Sequence, residues 1–176
     1  MTRLPMPPAI EHFETLPGLA NGAVAGLCVH YNAIPHDMPM AESFERALRR
    51  MNHAFGPRYA LLFVSHLRRS GTPESSVRAR LLQTMRDSAI LPAASALTVL
   101  SPGLLGVTGR SVITGLLLAA RLSVPVRVFG KVGDSLDWLV RQAREQMVSL
   151  PPRDVVDAAL AELQERAHGA LTGGPR

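Results

Sequence analysis

The chain has 176 residues, of which 47% are hydrophobic and 19% charged, and its formal net charge is +5. This length and composition are typical of one domain that buries a sizeable core without metal ions or crosslinks. The single cysteine, Cys28, excludes an internal disulfide and is compatible with the cytoplasm, where we expect the protein. The start is unlike a secretion signal, and the longest charge-free apolar stretch, Ser111 to Ala120, is too short to cross a bilayer as a helix.

The first third of the chain predicts a hairpin followed by a helix. Residues 1 to 8 are proline-rich, and we expect them to form a flexible arm. Ile10 to Leu16 and Ala23 to Tyr31 are typical of strands, and Asn21-Gly22 is a strong signal for a turn between them. Asp37 can cap the helix that follows. The apolar side of that helix comprises Met40, Phe44, Ala47, Leu48, Met51 and Phe55.

A buried strand and a second amphipathic helix come next. Tyr59 to Val64 is almost continuously apolar, as in strands that are covered on both faces. Thr72-Pro73-Glu74 is a helix start, with a capping residue, a proline in the first turn and an acidic residue. The buried side of this helix is predicted to comprise Val77, Leu81, Leu82, Met85 and Ala89.

The centre of the chain is a strand, crossover helix, strand unit of about 30 residues. Ala96 to Leu100 and Val126 to Phe129 are the predicted strands, and a glycine-rich loop from Gly103 to Gly109 leads into the apolar segment Val112 to Leu122. Because Leu116 to Ala120 is apolar on all sides, we expect this to be the most buried helix of the protein.

Two further helices follow. Asp134 is the predicted cap of one of them. Pro151-Pro152 separates it from an appended amphipathic helix predicted at 151–168, after which we expect a disordered tail at 169–176. Residues 9–150 make up the main domain. The alternation of strands and helices predicts an α/β fold, with an open, mostly parallel sheet, an N-terminal β-hairpin at one edge, helices packed on the sheet and an extra C-terminal helix.

The order of these elements carries a resemblance. The strand ending in Phe63-Val64-Ser65-His66, and the pattern from Leu116-Leu117-Leu118 through Val126-Arg127-Val128-Phe129 to Asp134-Ser135-Leu136, are similar to STAS and SpoIIAA-like proteins. That superfamily includes anti-sigma factor antagonists, and the likeness covers roughly Phe13 to Leu139. It implies a regulatory α/β module of bacterial signalling that binds a protein partner.

The phosphorylation switch of some family members has no full counterpart here. Those members carry an aspartate at the end of the second core strand, closely followed by serine-glycine at the next helix start. Here the strand ends in Ser65-His66, and Ser70-Gly71 comes later without the aspartate. Ser70 and Thr72 are therefore candidate phosphorylation sites only by position, and the alternative roles are a loop residue and a helix cap.

One candidate site is an anion-binding loop. Free amides and the positive end of a helix dipole favour negative charge, and the glycine-rich loop precedes a helix. Its glycine spacing matches neither a P-loop nor a dinucleotide fingerprint, so a tight turn is the alternative. His66 follows a strand end, where open α/β sheets place their ligands. The candidate ligand-binding residues are Gly106, Thr108, Gly109, Arg110, Ser111 and His66.

No residues form a catalytic or metal-binding pattern. His30, His36, His53 and His66 are not paired with carboxylates at metal-ligand spacing, and no positioned nucleophile stands out. We therefore expect no enzyme activity, no cofactor and no metal.

The partner-binding surface is expected on the first helix. Between Arg46 and Lys131 the chain has thirteen basic residues and two acidic ones, which indicates an anionic partner or a solvated surface. Arg46, Arg49 and Arg50 lie on the polar side of that helix and could bind an acidic protein. A homodimer is a further candidate, and nucleic acid is not favoured because aromatic residues make up only 5% of the chain. The alternative function is binding of a small anionic or lipid-like ligand near residues 103–111.

Overall fold

The computed structural model describes residues 10–66, 74–87 and 90–172, and all structural statements below concern these residues. Six strands lie side by side in chain order in one sheet. The α/β fold class predicted from the sequence is confirmed. The strands are β1 (Glu11–Leu16), β2 (Leu19–Val24), β3 (Leu27–Asn32), β4 (Ala60–Ser65), β5 (Ala94–Val99) and β6 (Val126–Phe129). The helices are α1 (Met38–Phe55), α2 (Ser75–Arg86), α3 (Gly103–Ala120), α4 (Val132–Glu145) and α5 (Arg153–Thr172).

The antiparallel edge has three strands rather than the predicted two. Asn21 and Gly22 lie within β2, where they pair with His30 and Val29 of β3, so the turn predicted at these residues is wrong. The chain reverses instead at Gly18, whose φ of 76° suits glycine, and at Ala25 and Gly26. Asn21 donates a side-chain hydrogen bond to Ser43 of α1, so tertiary packing overrides its turn preference.

The strands β3 to β6 are parallel, and helices join each one to the next. Because right-handed crossovers between strands in sequential order all pass over the same side, α1, α2 and α3 share one face of the sheet. Cys28, Leu61 and Phe63 form a core with α1 on that face. On the other face, Val29 and Leu62 pack against α4 and α5.

The first and last helices follow from clear sequence signals. Asp37 caps α1, and its Oδ1 accepts a hydrogen bond from the Met40 amide at 2.9 Å, as the sequence predicted. The helix α5 buries Val156, Leu160 and Leu163 against the β1 to β3 part of the sheet and extends to Thr172, beyond the predicted end at 168.

The expectation that the central helix is the most buried one is wrong. In α3, Leu104 is 81% exposed, Leu118 74%, Val107 52% and Val112 41%. The physical reason is topological. The strand β6 is the last of the sheet, and α3 crosses from β5 to this edge, so it packs on β5 and β6 and leaves its other side uncovered. Apolarity on all sides predicted burial, but only one side meets the sheet.

Two leucine-to-alanine changes test this difference in burial. Leu163 is fully buried in α5, so Leu163→Ala should lower the free energy of unfolding by about 2–5 kcal/mol, as large-to-small core changes do. Leu118→Ala removes the same atoms from an exposed position and should change it by less than about 0.5 kcal/mol. Urea unfolding measures both. Equal losses in the two variants would contradict the exposure of α3.

Candidate functional site

The predicted anion-binding loop is part of a helix. Gly103 is the first residue of α3, so Thr108 and Gly109 lie in its second turn, where backbone amides bond to carbonyls four residues earlier. Their amides are not free to hold an anion, and the expectation of a glycine-rich loop at 103–109 is wrong. The signal that was misread is the glycine content, because glycine weakens a helix by only about 1 kcal/mol and the packing of α3 on the sheet overrides it.

The other predicted members of the anion site also point apart. The exposed side chains of Thr108 and Ser111 lie on the outer side of α3, whereas Arg110 turns toward the sheet edge. The Arg110 guanidinium lies close to the backbone of Gly106 and Gly130, where an added Cβ would be 3.1 and 3.2 Å from its nitrogen. Gly106 itself lies against the carbonyl of Ser101, which leaves no room for a side chain. The side chain of Arg110 therefore packs against the backbone of Gly106 and Gly130.

His66 does not join the α3 residues. Its ring contacts Tyr31 with centroids 5.5 Å apart, and Tyr31 belongs to the core that packs against α4 and α5. The helix α3 lies on the opposite face of the sheet. The structure therefore does not assemble the predicted combination of His66 with the 103–111 segment.

The three arginines of α1 are engaged within the molecule. Arg46 pairs with Glu14 at 2.8 Å and Arg50 with Glu11 at 2.7 Å, and both acids lie on β1. Arg50 also lies over the ring of Phe13. Arg49 pairs with Glu45 and Asp87. The three side chains are 52–55% exposed, so they face outward as predicted, but each already pairs with acids of the same chain. Their binding of an external partner stays a prediction.

Glu14 extends this contact into the interior. Its second oxygen accepts a hydrogen bond from Ser43 at 2.7 Å, and Ser43 accepts one from Asn21 at 2.9 Å. Asn21 and Ser43 are both fully buried. The polar chain Arg46, Glu14, Ser43, Asn21 thus fastens α1 to β1 and β2, and its role is structural.

His30 lies in the carboxyl-terminal half of β3, and its pKa is strongly shifted. Its ring stacks on Phe63 at 4.8 Å and meets Phe44 edge-on at 5.5 Å, while His36 stacks on Phe63 at 6.2 Å. Neither ring nitrogen of His30 has a hydrogen-bond partner among the described residues. Burial, with a smaller contribution from His36, lowers the pKa of His30 to about 3. His30 is thus an uncharged aromatic group of the core at neutral pH.

The outer side of α3 is the feature that sequence reasoning missed. We call it the α3 outer face. None of its side chains is charged, although the chain as a whole is rich in arginine. A sequence signal existed, because Leu104, Ser111 and Leu118 recur every seven residues and lie on one stripe of the helix. The face comprises Leu104, Val107, Thr108, Ser111, Val112, Thr114, Gly115 and Leu118.

No three His, Cys, Asp or Glu side chains in the described ranges are placed to hold a metal ion. None of the described helices has both the length and the apolar character needed to cross a membrane. A depression of about 530 Å³ lies at the amino ends of β3 and β4, between Ala25, Phe55, Arg58 and the segment 147–152. Ser70 and Thr72, the candidate phosphorylation sites, fall outside the described residues.

No family model, curated protein or solved structure matches the chain. The resemblance to STAS and SpoIIAA-like proteins therefore stays a prediction from the order of elements and the sequence pattern.

The buried histidine predicts an acid-sensitive fold. The ordinary histidine pKa is 6.5 and that of folded His30 is about 3, so between these values the unfolded chain binds a proton that the folded chain excludes. Stability should therefore fall as the pH drops from about 6.5, by up to about 1.4 kcal/mol per pH unit for this one group. His30→Phe should reduce that slope in urea titrations at pH 6.5 to 5. The exposed control His53→Asn should keep it, and an unchanged slope in His30→Phe would contradict the assignment.

The ion pairs of α1 predict a stability effect for charge reversal. Arg46→Glu with Arg50→Glu loses two contacts to β1 and places like charges beside Glu14 and Glu11. Since exposed pairs contribute about 0.2–1 kcal/mol each, unfolding free energy should fall by about 0.5–2 kcal/mol, less at high salt. Arg141→Glu, on the exposed side of α4, is the control. If the double variant melts like the parent at low salt, the arginines do not hold the edge strand.

Proposed function

We propose that this chain is a non-enzymatic protein-interaction module that binds its partner through the α3 outer face. In keeping with the STAS-like pattern of its sequence, we assign it a regulatory role in bacterial signalling, in the cytoplasm. The observation that carries the proposal is the exposure of four large apolar side chains on one helix without an intervening charge.

Exposed apolar side chains make the α3 outer face unfavourable to hydrate. Single exposed apolar side chains are common, but contiguous apolar patches mark interaction sites. Removing apolar surface from water is worth roughly 25 cal/mol per Å², so covering Leu104 and Leu118 favours association. Because Leu104 is 81% and Leu118 74% exposed, neither side chain contributes much buried apolar surface to the monomer.

This proposal moves the partner surface from α1 to α3. The arginines of α1 already bind acids of the same molecule, so an acidic partner would have to displace Glu14 and Glu11. The alternative of a small anionic or lipid-like ligand near residues 103–111 loses its main support, because Thr108 and Gly109 use their amides within α3.

Binding by surface variants tests the proposal. The experiment compares three tagged proteins: the parent, Leu104→Asp/Leu118→Asp and Met147→Asp. For each protein, one measurement identifies the proteins that it retains from a lysate of the source cell, and a second measures its self-association. Met147 is the matched control, because it is the most exposed large apolar side chain of the described residues and lies away from α3. The α3 variant should lose interactions at least about tenfold, because each aspartate carboxylate would have to give up water to enter an apolar contact, while the control keeps them.

Circular dichroism and thermal melting establish that both variants fold. If the α3 variant keeps every interaction of the parent, including contact with its own copies, the outer face is not the interaction surface and the proposed function fails.

A further inference from the structure

The α3 outer face has a near-symmetric arrangement about Ser111. Leu104 and Leu118 lie seven residues before and after it, and Thr108 and Thr114 lie three residues before and after it. Seven residues are almost two helical turns, so the leucines and Ser111 fall on one stripe of the exposed side. A surface with this arrangement can meet a copy of itself when the two helices run antiparallel.

A two-fold axis at Ser111 produces complementary pairs. Leu104 then faces Leu118 of the second copy, and Thr108 faces Thr114, whose hydroxyl can exchange hydrogen bonds with it. Val107 faces Gly115, and a Cβ added at Gly115 would meet nothing within 4 Å, so there is space for the valine. Small groups at the centre allow the helix axes to approach closely, and the leucines close both ends.

The charge and the area of the α3 outer face determine how strongly two copies can associate. The counterpart of Val112 under this axis is Arg110, whose guanidinium lies near Gly106 and Gly130. The outer face itself carries no charge, so two copies of this basic chain can meet there without like charges facing each other. An 18-residue helix is about 27 Å long and its exposed side about 10 Å wide, or roughly 300 Å² per copy. Stable interfaces use about 800 Å² per partner, so a weaker, reversible dimer is expected.

We propose that the partner of the α3 outer face is a second copy of this chain, bound in an antiparallel α3 pair with a two-fold axis at Ser111. This inference rests on the proposed function, and it names the partner of the same surface. A closed two-fold contact uses the same face on both copies, so the exposed leucines of each are covered at once.

Single cysteines in the full chain test the arrangement. Cys28 is fully buried and burial raises the pKa of its thiol to about 12, so it stays unreactive. Under a mild oxidant, Ser111→Cys should form a disulfide-linked dimer, because this position meets itself at the axis. Leu104→Cys and Leu118→Cys should each fail alone, since equal positions are then about 21 Å apart, whereas the double variant should crosslink. Ala158→Cys, exposed on α5, gives the rate of random collision.

Equal crosslinking of all three single variants would indicate parallel helices and overturn the proposal, as would crosslinking of Ser111→Cys no faster than that of Ala158→Cys. Sedimentation equilibrium gives an independent measure. The parent should show a concentration-dependent monomer–dimer equilibrium, and Leu118→Asp should raise its dissociation constant at least about tenfold.

The outcomes separate this inference from the proposed function. A parent chain that is monomeric at all concentrations, while Leu104→Asp/Leu118→Asp still loses a different protein, overturns the dimer and leaves the interaction module standing. Binding of the monomer to vesicles of phosphatidylglycerol and phosphatidylcholine, abolished by the same variant, overturns both and assigns the face to a lipid surface.

Discussion

The right-handed crossover between sequential parallel strands is the constraint on which the rest of this structure depends. It places α1, α2 and α3 on one face of the sheet and leaves the other face to α4 and α5. The first two crossovers join strands that have neighbours on both sides, whereas the third ends at β6, the edge. The helix of this third crossover, α3, has the sheet on one side only. Its amino-acid composition therefore determines the chemistry of an exposed surface as well as that of the contact with the sheet.

The opposite edge of the sheet is held in a different way. There, β1 is held by charge and by α5: Arg46 and Arg50 bind its acids, and His12 on the same strand lies 2.7 Å from Glu162 of α5. Such contacts are individually weak, but several on one short strand limit its exposure as an open edge. The arginine-rich polar side of α1 is thus explained by packing of the hairpin, without an external acid.

Much of the fold could be predicted from the sequence because its signals are local. The cap at Asp37, the apolar strand that became β4 and the short strand at Val126 were all recognisable from neighbours in the chain. The errors concern competition with tertiary structure. Asn21-Gly22 is a turn signal, but pairing with β3 and the hydrogen bond to Ser43 keep these residues in a strand. The glycines of α3 suggested a loop, but the segment is helical and packs on the sheet. The candidate site depended on which side of α3 meets the sheet. The seven-residue spacing of Leu104, Ser111 and Leu118 marks one stripe of the helix, but the spacing alone does not say whether that stripe faces the sheet or the solvent.

The outer face of α3 also bears on how copies of this chain can associate. Apolar surface at an edge favours open-ended association when it binds a different surface of the next molecule, because that contact repeats without closing. In the proposed dimer, a face that pairs with itself about Ser111 would be covered, and exposed arginines such as Arg121 and Arg127 would give the dimer a like-charged exterior. The separation of charge from the α3 outer face therefore favours one closed contact over many open ones.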